Sequence, residues 1–350
     1  MRNFMGACVA MGLCVLLTAC STGTGAAVGN ESSLSEGTGA MKTGEKAAQE
    51  SNWPSTTVQW YVPASAGGGT DLVGRVFTSY LNEKTGKGMV VTNQTAGSGS
   101  VAMETVRTAK ADGNNLFFAH TGSIITCVTG VYNKSMVDDF TTIAYIPTVT
   151  NYCLVVNAGS PYQTIEDLIE DAKANPASIT FGVALGSSTH LMAGLLSGDA
   201  GVEFNYVEAG SDTEKVAAIT GNHIAVSLVN PNNAKQFSDA GKIRVLATIG
   251  TSKERCSTFP DIPSLQELGY SNCAYSVDFV VWGPKDMDPA DVEKIHAMFA
   301  EAAGDEGVRQ KCSDMNFPLM DCLSVEEGQK KVEEVNRQYT DTCREIGLIK

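Results

Sequence analysis

Past residue 56 the chain alternates two kinds of apolar pattern. One is a short apolar run, as in Val58-Gln59-Trp60-Tyr61-Val62; the other is a longer stretch with apolar residues three and four apart. The short runs predict strands near Val58–Val62, Met89–Asn93, Leu116–Ala119, Ile143–Pro147, Cys153–Val156, Ile179–Val183, Phe204–Tyr206, Ile224–Leu228, Val245–Ile249 and Val277–Val281. The longer stretches predict helices near Leu72–Lys84, Ser100–Ala109, Ile165–Ala174, Leu191–Ala200, Thr213–Thr220, Pro289–Ala303 and Val325–Ile346, with a short helical turn at Leu265–Leu268. Capping chemistry agrees with several of these starts. Thr164 with Asp167 and Ser324 with Glu327 are capping pairs, and Asp288-Pro289 is an N-cap followed by proline at the first helical position. Alternating strand and helix predict an α/β fold with mostly parallel sheets.

The first 56 residues follow a different pattern. Arg2 precedes an apolar run from Met5 to Leu17, shorter than the roughly 20 residues that span a bilayer. It ends in Leu17-Thr18-Ala19-Cys20, which resembles a bacterial lipobox. Residues 1–19 are therefore expected to be a lipoprotein signal peptide and Cys20 the lipidation site, with an ordinary secretory signal as the alternative. Residues 20–55, rich in Gly, Ser, Thr and Ala and without an apolar period, are expected to be a disordered tether. The chain would then be membrane-anchored on the extracytoplasmic side.

Bulk composition narrows the function classes. A chain of 350 residues with 43% hydrophobic content can form two domains with proper cores. A net charge of −14 argues against nucleic-acid binding, which needs a basic face. Of 10 cysteines, Cys8 and Cys14 leave with the signal and Cys20 takes lipid. Cys127, Cys153, Cys256, Cys273, Cys312, Cys322 and Cys343 remain, an odd number without any Cys-x-x-Cys pair. The odd count leaves at least one thiol free or intermolecular if the rest pair; the alternative is free, buried thiols acting as small apolar residues, and a zinc site has little support.

The candidate chemistry lies in strand-to-helix turns. Ala66-Gly67-Gly68-Gly69-Thr70-Asp71 follows the first strand. Its glycines permit positive φ and close backbone approach, and Thr70 or Asp71 is the expected N-cap. Any tight βα turn uses such residues, but the same grammar recurs. Gly186-Ser187-Ser188-Thr189-His190 opens a second helix, and His120-Thr121-Gly122-Ser123 precedes an apolar run from Ile124. Three turns rich in N–H and hydroxyl donors suit one small anion held from several sides. His120 and His190 sit within these turns, as direct contacts or as support; His223 and His296 do not, and no metal-ligand spacing links the four. Gly97-x-Gly99-x-x-Ala102 is a weak dinucleotide fingerprint without its acid at the right distance. Walker A, Gly-x-Ser-x-Gly and His-Glu-x-x-His motifs are absent.

Six segments in order give a resemblance. They are Pro63 with Gly68-Gly69-Thr70-Asp71, then Asn93-Gln94-Thr95-Ala96-Gly97-Ser98-Gly99, Ala111-Asp112-Gly113, Gly186-Ser187-Ser188-Thr189-His190-Leu191, Gly241-Lys242-Ile243-Arg244, and Pro260-Asp261-Ile262-Pro263-Ser264. The chain resembles the solute receptors of the tripartite tricarboxylate transporters, the TctC or Bug group. The resemblance implies a two-lobed α/β fold of the type II periplasmic-binding-protein kind, with the ligand cleft between the lobes. It implies residues 56–156 plus 276–350 as lobe 1 and 157–275 as lobe 2. It further implies a small organic acid as ligand (a di- or tricarboxylate or an amino acid), no cofactor and no catalytic step. The implied partner is a membrane permease with large and small subunits; presentation of the ligand to a sensor kinase is the alternative. Asp278 stands where the family often has an aromatic residue. It is open to three roles: pairing a ligand ammonium, accepting a ligand hydroxyl, or being a plain exposed acid.

Overall fold

The computed structural model describes residues 51–251 and 253–350. The expected signal peptide, Cys20 and the tether as far as residue 50 lie outside the described residues. The last tether residues do not behave as a tether. Trp53 is buried, and its indole N–H donates to the Gly113 carbonyl at 2.9 Å. Ser51 Oγ donates to Asp291 at 2.6 Å. The large apolar face of the indole is what draws this stretch onto the domain.

All ten predicted strands form, in two five-stranded sheets built to one plan. The first contains β1 (Val58–Val62), β2 (Met89–Asn93), β3 (Asn115–His120), β4 (Phe140–Ile146) and β10 (Phe279–Pro284), in the order β2-β1-β3-β10-β4. The second contains β5 (Tyr152–Asn157), β6 (Thr180–Val183), β7 (Asn205–Glu208), β8 (Val226–Val229) and β9 (Ile243–Ile249), in the order β7-β6-β8-β5-β9. In each sheet three strands are parallel and the fourth in spatial order runs antiparallel to both its neighbours. β5 thus belongs wholly to the second sheet, and the lobe boundary expected after Val156 falls before Tyr152.

The seven predicted helices are α1 (Gly69–Thr85), α2 (Ser100–Arg107), α4 (Ile165–Ala174), α5 (Ser188–Ala200), α6 (Asp212–Thr220), α8 (Pro289–Gly304) and α10 (Val325–Glu345). Three more appear: α3 (Gly122–Val128), α7 (Pro231–Asp239) and α9 (Glu306–Asp314). Residues 265–268 stay a turn. The capping boxes at Thr164 and Ser324 form as expected, and Asp288 caps Ala290 N. One cap differs. The N-cap of α1 is Gly68 and has no side-chain partner, so neither Thr70 nor Asp71 caps it.

Trp60, Phe77, Phe118, Phe279 and Phe299 fill the space between the first sheet, α1 and α8, with Trp60 and Phe299 stacked at 5.0 Å. Each such buried ring contributes about 1.5–3 kcal/mol from burial alone. Trp282 is fully buried against Phe117, as lobe packing. The lobes are joined by two crossing segments and by α10. Thr148 Oγ donates to Val277 O at 3.0 Å, and Val277 N donates to Thr150 Oγ at 3.1 Å. α10 lies along β4 and α3 and reaches α5 of the second lobe. Among the described residues, no helix is long and apolar enough to cross a membrane.

Candidate functional site

Parallel strands end at one edge, so the loops after β1, β2 and β3 share a rim, and those after β6, β7 and β8 share another. On the first rim, Gly67 takes φ +82° and Gly69 lies where a Cβ would come within 2.7 Å of the Phe317 ring. The Asp71 carboxylate braces this loop. It accepts from Gly67 N at 2.8 Å, Asn93 Nδ2 at 2.8 Å and Arg75 Nε at 2.9 Å. Burial alone would raise this carboxyl, but its donors from Arg75, Asn93 and Gly67 outweigh that and hold it below the usual range. Its charge is therefore spent inside the loop. The N–H groups of Gly69, Thr70 and Asp71 precede the first helical bond, Leu72 N to Gly68 O, and stay free to face an anion.

His120 closes β3. Its Nδ1 accepts from Gly122 N at 3.0 Å, which puts the ring proton on Nε2. Burial pushes its pKa down to about 4, so the ring stays neutral. Thr121 is consumed by structure: its N–H donates to Asp278 O at 2.9 Å and its hydroxyl to Ser276 O at 3.3 Å. The Ser123 side chain is buried and has no hydrogen-bond partner among the described residues.

The second lobe repeats the arrangement. His190 Nδ1 accepts from Gly186 N at 3.2 Å, so Nε2 again carries the proton. Burial lowers its pKa, with Glu208 opposing. Gly186 takes φ +72° facing open space. Ser187 Oγ donates to Ala184 O at 2.6 Å, and Thr189 Oγ accepts from Ala184 N at 3.0 Å, so both hydroxyls shape the loop rather than face outward. The N–H groups of Ser188, Thr189 and His190 precede the first helical bond and remain free. The two rims touch. A Cβ on Gly122 would lie 2.6 Å from Ser188 Oγ, which itself accepts from Tyr275 OH at 2.5 Å. No close contact of this kind joins Gly67 or Gly186 to the opposite rim; a Cβ on either meets nothing within 4 Å.

Asp278 is not a plain exposed acid. It is buried, and its carboxylate accepts from Tyr145 OH at 2.6 Å, Ser276 Oγ at 2.7 Å and Thr148 N at 2.9 Å. It ties β4 to both crossing segments. All seven cysteines in the described residues are free thiols, five of them buried.

Two other rim loops escaped the sequence reading. Ser211 caps α6 after β7, and Asn230 caps α7 after β8. Ala209-Gly210-Ser211-Asp212 repeats the strand, small-residue, helix grammar and was the available signal. Grooves of about 950 Å³, at the far end of α5, and about 560 Å³, beside α6, contain no residue of the 66–71, 120–123 or 186–190 loops. The free N–H groups gather at the rims and not in these grooves' lining loops, so the rims are the candidate site.

Two α/β lobes linked by crossing segments, with free donors at facing rims, define a two-lobed solute-binding receptor. The chain belongs to the tripartite tricarboxylate transporter family receptors, TctC, whose profile matches residues 73–347. This is a family of substrate-binding receptors, not enzymes. The chain is 28% identical over 307 residues to the UPF0065 protein in the gbd 5' region of Cupriavidus necator, covering 87% of this chain and 91% of that protein. Its fold is similar to that of Rhodopseudomonas palustris Rpa4515 with adipate, at TM-score 0.70 and 24% identity over 85% of this chain and 99% of that one. It is also similar to MatC from Rhodopseudomonas palustris with bound malate, at TM-score 0.68 and 21% identity over 83% and 99% of the two chains.

Proposed function

We propose that this chain is an extracytoplasmic receptor, anchored through lipid on Cys20, that captures a small organic carboxylate between its lobes. It hands that ligand to a membrane permease of large and small subunits. The observation that carries the ligand class is the donor set. Free N–H groups at the starts of α1 and α5, the Nε2–H of His120 and His190, and the hydroxyls of Thr70 and Ser123 are all neutral donors. The cations near the rims are already engaged: Arg75 by Asp71, and Lys215 by Asp212 at 3.3 Å. Hydrogen bonds to a charged group contribute about 1.5–3 kcal/mol each. Four to six would give roughly 6–18 kcal/mol against association costs of about 4–15 kcal/mol, compatible with micromolar binding near −8 kcal/mol. The adipate and malate seen in the two structural relatives fit this class.

Native mass spectrometry of protein purified without added ligand, with a thermal-shift screen of organic acids, sugars and nucleotides, tests the proposal. A co-purified organic acid, and stabilisation by carboxylates of about 2.7 kcal/mol at a hundredfold excess over Kd, are expected. Response to neutral sugars alone would contradict the donor argument.

A further inference from the structure

β5 runs antiparallel to β8, with Cys153 opposite Val229. Its first residue, Tyr152, therefore sits at the edge where β6, β7 and β8 end and their loops meet the cleft. Tyr152 also follows directly on the crossing segment that Thr148 and Thr150 tie to Val277. The residue keeps part of its surface open to solvent. Burial nevertheless pushes its phenol well above the usual tyrosine range, with Asp212 and Tyr275 adding to the shift. The strand register and this partial exposure put the phenol at the rim of the second lobe.

Five tyrosines surround this region, and four have hydroxyl partners. Tyr145 bonds Asp278 at 2.6 Å, Tyr206 bonds Ser197 at 2.6 Å, Tyr275 bonds Ser188 at 2.5 Å, and Tyr339 bonds Thr121 at 3.4 Å. The Tyr152 hydroxyl has no protein partner among the described residues. Asp212 does not serve it. That carboxylate is taken by Asn230 N at 2.8 Å, Lys215 Nζ at 3.3 Å and Asn233 Nδ2 at 3.4 Å. The hydroxyl is reached by solvent and has no protein acceptor among the described residues, so its proton is free for a ligand oxygen.

We infer that Tyr152 is a specificity-determining residue: its O–H donates to an oxygen at the end of the ligand remote from the carboxylate held at the helix starts. This rests on the carboxylate reading above. It makes the receptor select acids bearing oxygen at both ends over acids whose far end is alkyl.

Calorimetry with chain-matched acids tests it: adipate against hexanoate, and succinate against butyrate. The wild type is expected to bind the diacid of at least one pair about tenfold tighter or better. Tyr152→Phe, which keeps the ring, should remove most of that preference without changing the affinity for the monoacid. Tyr206→Phe, whose hydroxyl already serves Ser197, should keep it. Circular dichroism confirms folding of both variants. A preference that survives in Tyr152→Phe, or its absence in the wild type, overturns the assignment and leaves carboxylate capture intact. A wild type that binds no organic acid in calorimetry or in the wider screen overturns carboxylate capture, and this inference with it.

Discussion

His120 and His190 are held in the same way from opposite lobes: a backbone N–H fills Nδ1, and burial keeps the ring neutral. The consequence for pH can be worked out for His120. Its folded pKa, about 4, lies below the ordinary imidazole value of about 6.5, so the unfolded chain takes up the proton first as pH falls. Stability is therefore complete above about pH 6.5 and is lost progressively between there and pH 4. The full shift corresponds to at most about 3 kcal/mol, and partial exposure reduces it to roughly 1–2 kcal/mol. His120→Asn, whose side-chain oxygen can still accept from Gly122, should show a shallower loss of urea midpoint between pH 6.5 and 4 than the wild type. Parallel curves would mean that His120 is not desolvated as described. The position of these histidines was legible in the sequence, but their tautomers were not. Tautomer depends on which neighbouring N–H folds back, and that is a property of the closed loop. The same holds for Ser187 and Thr189, whose hydroxyls look free in sequence and are consumed by Ala184 in the fold. Asp278 was singled out in the sequence but its bracing partners were not legible, because its donors Tyr145, Thr148 and Ser276 come from separate segments.

The loop glycines look alike in sequence and do different work in the elements they begin. Gly67 and Gly186 are needed for positive φ, while Gly69 and Gly122 are needed for space. At Gly122 the space lies between lobes. Gly122→Ala would push a methyl group to 2.6 Å from Ser188 Oγ and 2.4 Å from the His120 ring. The helix itself tolerates alanine, so the effect should fall on closure. We expect carboxylate affinity to drop about tenfold or more, beyond a stability loss of about 1–3 kcal/mol from overpacking. Small-angle scattering with adipate present should give a larger radius of gyration than for the wild type. Normal affinity and an unchanged radius would show that the rims close elsewhere. Most element starts were legible because they rest on local chemistry, such as the capping boxes at Thr164 and Ser324. The helices α7 and α9 were not, since their sequences are largely polar and show no apolar period. They stand on caps, Asn230 with Pro231 and Asp305, and on a few buried residues such as Ala234, Val308 and Cys312. Membership of β5 in the second sheet was also hidden, because strand exchange between lobes is set by long-range pairing with β8 and β9.

For the molecule as a whole, two features oppose each other. The rims attract a carboxylate through dipoles at short range, while the chain carries a net charge of −14. N–H and hydroxyl dipoles act within hydrogen-bond reach, whereas the net charge acts over the Debye length, about 30 Å at 0.01 M salt and about 8 Å at 0.15 M. An approaching dianion therefore meets repulsion first, and salt removes it. We expect the association rate for adipate, measured by stopped-flow tyrosine and tryptophan fluorescence, to rise about two- to fivefold between 0.01 and 0.15 M salt. The dissociation rate should barely change, because the bonds broken on release are made inside a cleft that ions do not screen. Affinity should then improve with salt, opposite to a receptor that grips its anion with exposed arginines or lysines. An association rate that falls with salt would reveal a positive steering field at the cleft mouth. That would give Arg75 or Lys215 a direct role in capture.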